Sequence, residues 1–117
     1  MITIKKNYEF KRALSRGKSQ NGKYVTIYFF PNRLNLVRFG FAIGKKAGKA
    51  VQRNRIRRVI REVARLTEID ETGLDVVFVW KNRVSAEKID FFEIKKEVEI
   101  LYNKRKKNNE KASVKSN

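Results

Sequence analysis

Apolar residues along the chain recur with two different periods, which predict a mixed α and β protein. Around Phe10 and Leu14 the spacing is helical, whereas later segments dense in β-branched and aromatic residues alternate with the two-residue period of a strand. The predicted order is helix 7–16, strand 23–30, strand 36–43, helix 51–67, strand 74–80 and a helix that starts after Ser85. Because only Pro31 and a short polar turn separate the first two strands, we expect them to form an antiparallel hairpin.

The strand at 36–43 has one face of large apolar residues and one face, called its light face, on which small residues recur. Its light face carries Arg38, Gly40 and Ala42, and small residues there leave space for another group to approach the backbone. The strand at 74–80 is apolar almost throughout, which is typical of a strand covered on both faces. Three strands with helices packed against them define the fold class as α+β, and we predict a single two-layer α/β sandwich.

The length of 117 residues fits one domain. After residue 103 the chain is rich in Lys, Asn and Ser and has almost nothing to bury. We therefore predict one α/β domain over 1–103 and a basic, disordered tail over 104–117.

Net charge narrows the class of partner. The chain has 29 Lys and Arg against 12 Asp and Glu, a formal net charge of +17. Such an excess destabilises a compact protein through self-repulsion, so a polyanionic partner is the simplest explanation. No stretch approaches the roughly 20 apolar residues that span a bilayer, so we expect no membrane partner. The lack of cysteine and of an apolar signal at the start favours a cytoplasmic protein.

The segment 44–65 combines a buried stripe with a dense array of cations. Ile56, Val59, Ile60, Val63 and Leu66 fall on one side of a helix, which predicts an anchored face. Arginines at i+4 spacing line the exposed side, where their mutual repulsion is mildly destabilising unless phosphates lie against them. Gly44 and Gly48 flank the preceding lysines and permit a close approach to phosphate. The candidate RNA-contacting residues are Lys45, Lys46, Lys49, Arg53, Asn54, Arg55, Arg57, Arg58, Arg61 and Arg65.

The string KKAGKAVQRNRIRR at 45–58, with RNR at its centre, resembles the signature of bacterial ribonuclease P protein components. The resemblance covers most of the chain, up to Asn103. It implies a ribosomal-protein-like sandwich with an unusual left-handed βαβ crossover, which departs from the general rule of handedness. It also implies two surfaces that face RNA: the RNR helix with its preceding loop, against the catalytic RNA, and a cleft between the first helix and the sheet that holds the single-stranded 5′ leader of precursor tRNA.

Phe10 and Tyr28 match cleft positions of that family, and both could stack on unpaired nucleotides. Leu14 stands where many relatives have a second aromatic residue, so apolar contact replaces stacking there. Tyr24 is a weaker candidate, because strand alternation places it on the face of Tyr28. The alternative for these residues is an ordinary core position.

No His or Cys is present, so we predict no catalytic residue in the polypeptide. The acids Asp70, Glu71 and Asp75 could hold a metal ion, but a solvated loop is the preferred interpretation and no protein metal site is predicted. The resemblance implies that the RNA subunit binds the Mg²⁺ ions that activate water for hydrolysis, and that the protein raises substrate affinity.

Three other functions remain open from the residues. A ribosomal or ribosome-assembly protein could use the same arginines on rRNA. A DNA-binding protein could place helix 53–65 in a major groove, although we find no dimer signal and expect no DNA partner. A metal nuclease could act without RNA.

Overall fold

A computed structural model of the chain describes residues 1–115. It contains three α-helices and four strands in the described part. Their bounds are α1 Asn7–Arg16, β1 Lys18–Asn21, β2 Val25–Pro31, β3 Val37–Ala42, α2 Ala50–Leu66, β4 Leu74–Trp80 and α3 Phe91–Lys115, with single 3₁₀ turns at Lys45–Ala47 and Ala86–Lys88. The α+β class is confirmed, and the bounds of α1 and β4 agree with the sequence prediction.

The strand order is β1-β2-β4-β3, so the predicted hairpin between β2 and β3 is wrong. Strand β4 lies between them, antiparallel to β2 and parallel to β3. As the strand that is apolar on both faces, β4 occupies the centre of the sheet, where both faces are covered. Strand β1 was predicted as loop, because its residues KSQN are polar. Backbone hydrogen bonds to β2 make it an edge strand.

The two faces of the sheet are covered by different helices. Helices α2 and α3 pack on the main core, to which Ile27, Phe78 and Ile94 contribute fully buried side chains. Helix α1 lies on the opposite face, where the Phe10 ring sits over Gly40. The sheet with α2 and α3 is therefore the predicted two-layer sandwich, and α1 adds a partial third layer. The segment β3–α2–β4 is a parallel βαβ unit, and the left hand that the resemblance implies for it stays a prediction.

Helix α3 continues to Lys115, where the sequence predicts a disordered tail from residue 104. Ion pairs hold the first turn of this extension: Lys106 Nζ lies 2.7 Å from Asp70 Oδ2, and Arg105 pairs with Glu71. Hydrophobic periodicity cannot reveal such an anchor, because its partners are acids in the α2–β4 loop. The division at residue 103 stays a prediction, and the predicted tail's residues 116–117 lie outside the described residues.

Candidate nucleic-acid interface

The apolar stripe of α2 anchors the helix to the core. Ile56, Ile60 and Val63 are buried, as the spacing predicts, and Val59 is partly buried. Leu66 differs from the prediction, since 41% of it is exposed. It is the last residue of the helix, and the chain turns into the core at Thr67 instead. The helix that carries the arginines is therefore a rigid element with one face fixed.

The loop before α2 is held in one conformation by a glycine and a glutamine. Gly48 has φ 142°, and a Cβ there would lie 2.3 Å from Gln52 Oε1. The same Gln52 oxygen accepts a hydrogen bond from the backbone N–H of Lys49 at 2.8 Å. Any side chain at position 48 would therefore displace this contact. The side chains of Lys45, Lys46 and Lys49 are exposed around this fixed turn.

The exposed side of α2 presents guanidinium groups in defined positions. Arg57 Nη1 donates a hydrogen bond to Asn54 Oδ1 at 3.2 Å, and the Arg61 guanidinium lies 5.9 Å from the centre of the Phe41 ring. Arg55 and Arg58 are exposed. These contacts orient the groups without neutralising them, so their charge stays available to phosphate.

Acidic side chains engage little of this array. In the described part of the chain, Arg65 is the one arginine of α2 in an ion pair, with Glu62 one turn earlier on the surface. The hydrogen bond from Arg65 lowers the pKa of the Glu62 carboxyl. Arg53 has a buried Nε without a hydrogen-bond partner. A buried donor without an acceptor is costly, so this Nε is suited to a small buried acceptor such as a water.

A row of residues across the sheet forms the floor of the predicted cleft. Tyr28, Val77 and Gly40 are direct neighbours on β2, β4 and β3. The half-buried Phe10 ring covers Gly40, where a Cβ would lie 2.7 Å from a ring carbon. Leu14 follows Phe10 one turn later on the same flank of α1. Phe10 thus packs on the strand row that contains Tyr28, Leu14 projects from the same flank of α1, and the contact of Phe10 with Gly40 explains the light face of β3.

Tyr24 does not join this group. Only 6% of it is exposed, its ring stacks on Trp80 within the main core, and its hydroxyl donates to the carboxylate of Glu93 on α3. That hydrogen bond is the main cause that raises the pKa of Tyr24 to about 12. Strand β2 begins one residue later, so alternation does not extend to position 24. Its placement beside Tyr28 was therefore wrong.

A buried charge network that the sequence patterns did not predict ties α1 to the sheet. Arg38 donates from Nε to Asp75 Oδ1 at 2.9 Å, from Nη2 to Asp75 Oδ2 at 2.8 Å, and from Nη2 to Glu9 Oε2 at 3.1 Å. The bond to Asp75 is the main cause that raises the pKa of Arg38 above its usual value. An acid inside the apolar run of β4, and an arginine on the light face of β3, are the signals that could have revealed it.

The three acids considered as a metal cluster are not brought together. Asp75 points into the arginine network, whereas Asp70 and Glu71 both lie against the hydroxyl of Tyr102 on the other side of the sheet, at 2.8 and 2.9 Å. Within the described range, no group of three or more acidic, His or Cys side chains could hold a metal ion.

No described helix is long and apolar enough to cross a membrane.

The two candidate surfaces meet at one edge of the sheet. Strand β3 ends at Ala42, and the chain passes within a few residues into the basic loop and α2. The row next to Tyr28, formed by Thr26, Val79 and Ala42, lies at this end of the cleft. A fixed guanidinium array next to exposed aromatic rings is typical of small α+β proteins that bind nucleic acid.

Comparisons with known proteins identify the family. The family model for Ribonuclease P matches residues 2–106. The ribonuclease P protein component of Natranaerobius thermophilus is 37% identical over 107 residues, covering 91% of each chain. That of Thermoanaerobacter sp. strain X514 is 42% identical over 85 residues, covering 72% of this chain and 73% of the relative.

Solved structures agree. The RNase P protein of Staphylococcus aureus aligns with a TM-score of 0.77 at 27% identity, over 91% of this chain and 96% of that one. The RNase P protein of Thermotoga maritima aligns with a TM-score of 0.74 at 26% identity, over 86% and 96%. The chain belongs to the family of ribonuclease P protein components, which are subunits of a ribonucleoprotein endoribonuclease in tRNA processing. This confirms the resemblance, and the ribosomal alternative is not favoured.

Proposed function

We propose that the chain binds the catalytic RNA of ribonuclease P through α2 and its preceding loop, and binds the 5′ leader of precursor tRNA in the cleft under α1. The holoenzyme then removes the leader and leaves the mature tRNA 5′ end. We expect the protein to act in the cytoplasm. The observation that carries this proposal is the shared edge at which the arginine array and the cleft meet, because one RNA complex can engage both there.

The arginine array supports binding to folded RNA. Its guanidinium groups stand on a helix whose other face is buried, so little backbone freedom is lost when phosphates bind. Asn54 and Phe41 further restrict Arg57 and Arg61. Each planar guanidinium can donate two parallel hydrogen bonds from two of its nitrogens to one phosphate, whereas a lysine offers a single nitrogen.

The cleft supports binding to an unpaired strand. Tyr28 and Phe10 are half-buried, so each is held by the fold while part of its ring stays accessible. Bases of any identity can stack on such rings, which suits leaders of varied sequence. Leu14 extends this surface with apolar contact only, so we expect stacking to depend mainly on the two aromatic residues.

We propose that the chemistry is carried by the RNA. Mg²⁺ bound mainly by the RNA subunit would activate water for phosphodiester hydrolysis. The residues of this chain do not suit a resident metal, because cations or a tyrosine hydroxyl already engage the carboxylates of Asp70, Glu71 and Asp75. The protein's part is to bind and orient both RNAs, and to add positive charge where phosphates crowd.

A reconstitution assay tests the proposal. The purified chain, mixed with a bacterial ribonuclease P RNA, should accelerate cleavage of precursor tRNA at low Mg²⁺, and the RNA-free chain should not cleave. Arg53→Ala or Arg55→Ala should weaken binding to the catalytic RNA and make its salt dependence shallower. With one phosphate contact fewer, fewer counterions are released from the RNA on binding. Unchanged affinity in both variants would contradict the assignment of α2.

Tyr28→Ala tests the cleft separately. It should weaken holoenzyme binding of precursor tRNA by about tenfold, in line with roughly 1–3 kcal/mol per stacked base, and leave binding of mature tRNA unchanged. Tyr24→Phe is the matched control, because that ring lies in the core away from the cleft. Equal losses for precursor and mature tRNA would show that Tyr28 does not contact the leader.

A further inference from the structure

A second basic groove lies on the flank of α1 opposite the cleft. At 3.6 residues per turn, Phe10 and Leu14 project from one flank of the helix, and Arg12 and Arg16 from the other. The groove has a volume of about 610 Å³ and opens between this second flank and the β2–β3 turn. Its lining includes Arg12, Arg16, Phe30, Arg33 and Leu34.

The groove carries positive charge that the fold does not use. Arg38 at its floor is neutralised by Glu9 and Asp75. Within the described residues, no acid lies within ion-pair distance of Arg12, Arg16 or Arg33. Arg16 has a structural role, since it lies in the last turn of α1, where a cation interacts favourably with the helix dipole. Position in the helix does not account for Arg12, and Arg33 lies outside any helix.

The cations are held beside an aromatic surface. The Arg12 guanidinium lies 5.6 Å from the centre of the Phe30 ring, within cation–π distance, and the exposed side chain of Arg12 is open to a base. Phe30 is half-buried, and Leu34 is 50% exposed at the groove wall. Guanidinium, aromatic and apolar groups in one groove are the combination that binds unpaired nucleotides.

The turn that presents Arg33 is fixed by Asn32. Its Nδ2 donates to Asp75 Oδ1 at 2.7 Å, and its Oδ1 accepts from the backbone N–H of Leu34 at 3.0 Å. The turn is thereby tied to the buried charge network under α1. The backbone that carries Arg33 is ordered before any ligand binds, which reduces the entropy lost on binding.

We propose that this groove is a second RNA subsite, in which phosphate oxygens bind Arg12 and Arg33 and a base stacks on the Arg12–Phe30 pair. It is separate from the leader cleft, because α1 stands between the two. The inference rests on the proposed function for the identity of its RNA, which is either the leader beyond the cleft or an unpaired segment of the catalytic RNA. An acidic peptide would use the arginines but not the stacking surface.

Binding of a single-stranded RNA oligonucleotide of about 12 nucleotides to the free chain tests the subsite, with Tyr28→Ala as background to weaken the cleft. Adding Arg12→Gln and Arg33→Gln should weaken binding about tenfold and reduce the slope of log affinity against log salt by about 1.4, for two single-strand phosphate contacts. Lys11→Gln is the matched control, since this exposed residue of α1 projects about 100° away from Arg12. No loss, or an equal loss for Lys11→Gln, overturns the subsite.

The holoenzyme then distinguishes the two sources. If the occupant is the leader, the Arg12→Gln/Arg33→Gln protein binds precursors with leaders of about 12 nucleotides less tightly and those with about four nucleotides normally. If it is the catalytic RNA, assembly itself weakens. No change in either measurement overturns the assignment to these RNAs. Failure of the wild-type chain to stimulate cleavage of the short-leader precursor would refute the proposed function, while the oligonucleotide result would still decide whether the groove binds RNA.

Discussion

Replacing Arg38 tests how the charge network under α1 stabilises the fold. Asp75 is 1% exposed and receives two hydrogen bonds from Arg38. In Arg38→Ala only the amide of Asn32, at 2.7 Å, remains to bind that carboxylate. Removing one partner of a buried pair leaves an uncompensated charge, so we expect the free energy of unfolding to fall by about 3–5 kcal/mol. For a chain of this size that lowers Tm by roughly 10–20 °C.

Urea unfolding provides the measurement. Trp80 is the only tryptophan of the sequence and is 2% exposed, so its fluorescence reports unfolding of the main core on the other face of the sheet from Arg38. The control is Arg38→Met combined with Asp75→Leu, which removes both charges and keeps the volume. We expect the double variant to recover most of the lost free energy of unfolding.

Two results would refute this reasoning. A loss below about 1 kcal/mol for Arg38→Ala would mean that Asp75 reaches water and that the network contributes little. A double variant as unstable as the single one would mean that packing of the arginine side chain, and not the charge left on Asp75, is the source of the effect.

Gly40→Ala should push the Phe10 ring out of the cleft, because the new Cβ would lie 2.7 Å from a ring carbon. Leader-dependent binding should show a severalfold loss of leader affinity. Urea unfolding should show that the free energy of unfolding falls by about 1–3 kcal/mol. The raised pKa of Tyr24, about 12 against an ordinary 10, means that its hydrogen bond to Glu93 stabilises the fold fully below pH 10 and is lost as pH rises towards 12, so the Tm difference between wild type and Tyr24→Phe should vanish over that range. The pKa of Asp70 is lowered from its ordinary 3.8, mainly by the hydrogen bond from Lys106 in α3. The ionised carboxylate therefore stabilises the fold above pH 3.8, and this stabilisation is lost as the pH falls below that value. Circular dichroism should show the end of α3 unwinding at such low pH in wild type, and already at neutral pH in Asp70→Asn.

The local spacing of apolar residues predicted the elements that have a continuous buried apolar face. Helix α2 is an example, because Ile56, Ile60 and Val63 recur at helical spacing and need no knowledge of their partner to be recognised as a buried face. The candidate RNA-contacting residues within α2 follow from the same helical wheel, because they fall outside its buried stripe. Whether each of these residues touches RNA stays a prediction.

The sequence pattern did not predict the features that are stabilised by residues distant in the chain. Strand β1 has no apolar residue of its own and exists because β2 offers it a hydrogen-bonding edge. The extension of α3 is held by Asp70 and Glu71, more than thirty positions earlier. Tyr24 was misplaced because alternation tells nothing about where a strand begins.

The amino-acid sequence by itself therefore determined the charge and the amphipathic α2, since these depend on composition and on a period of 3.6 residues. Tertiary structure alone decided that β4 separates β2 from β3, that α1 crosses the opposite face, and that a second groove opens beside it. The physical reason is that strand pairing and buried ion pairs join residues far apart in the chain, and their free energy depends on which surfaces meet.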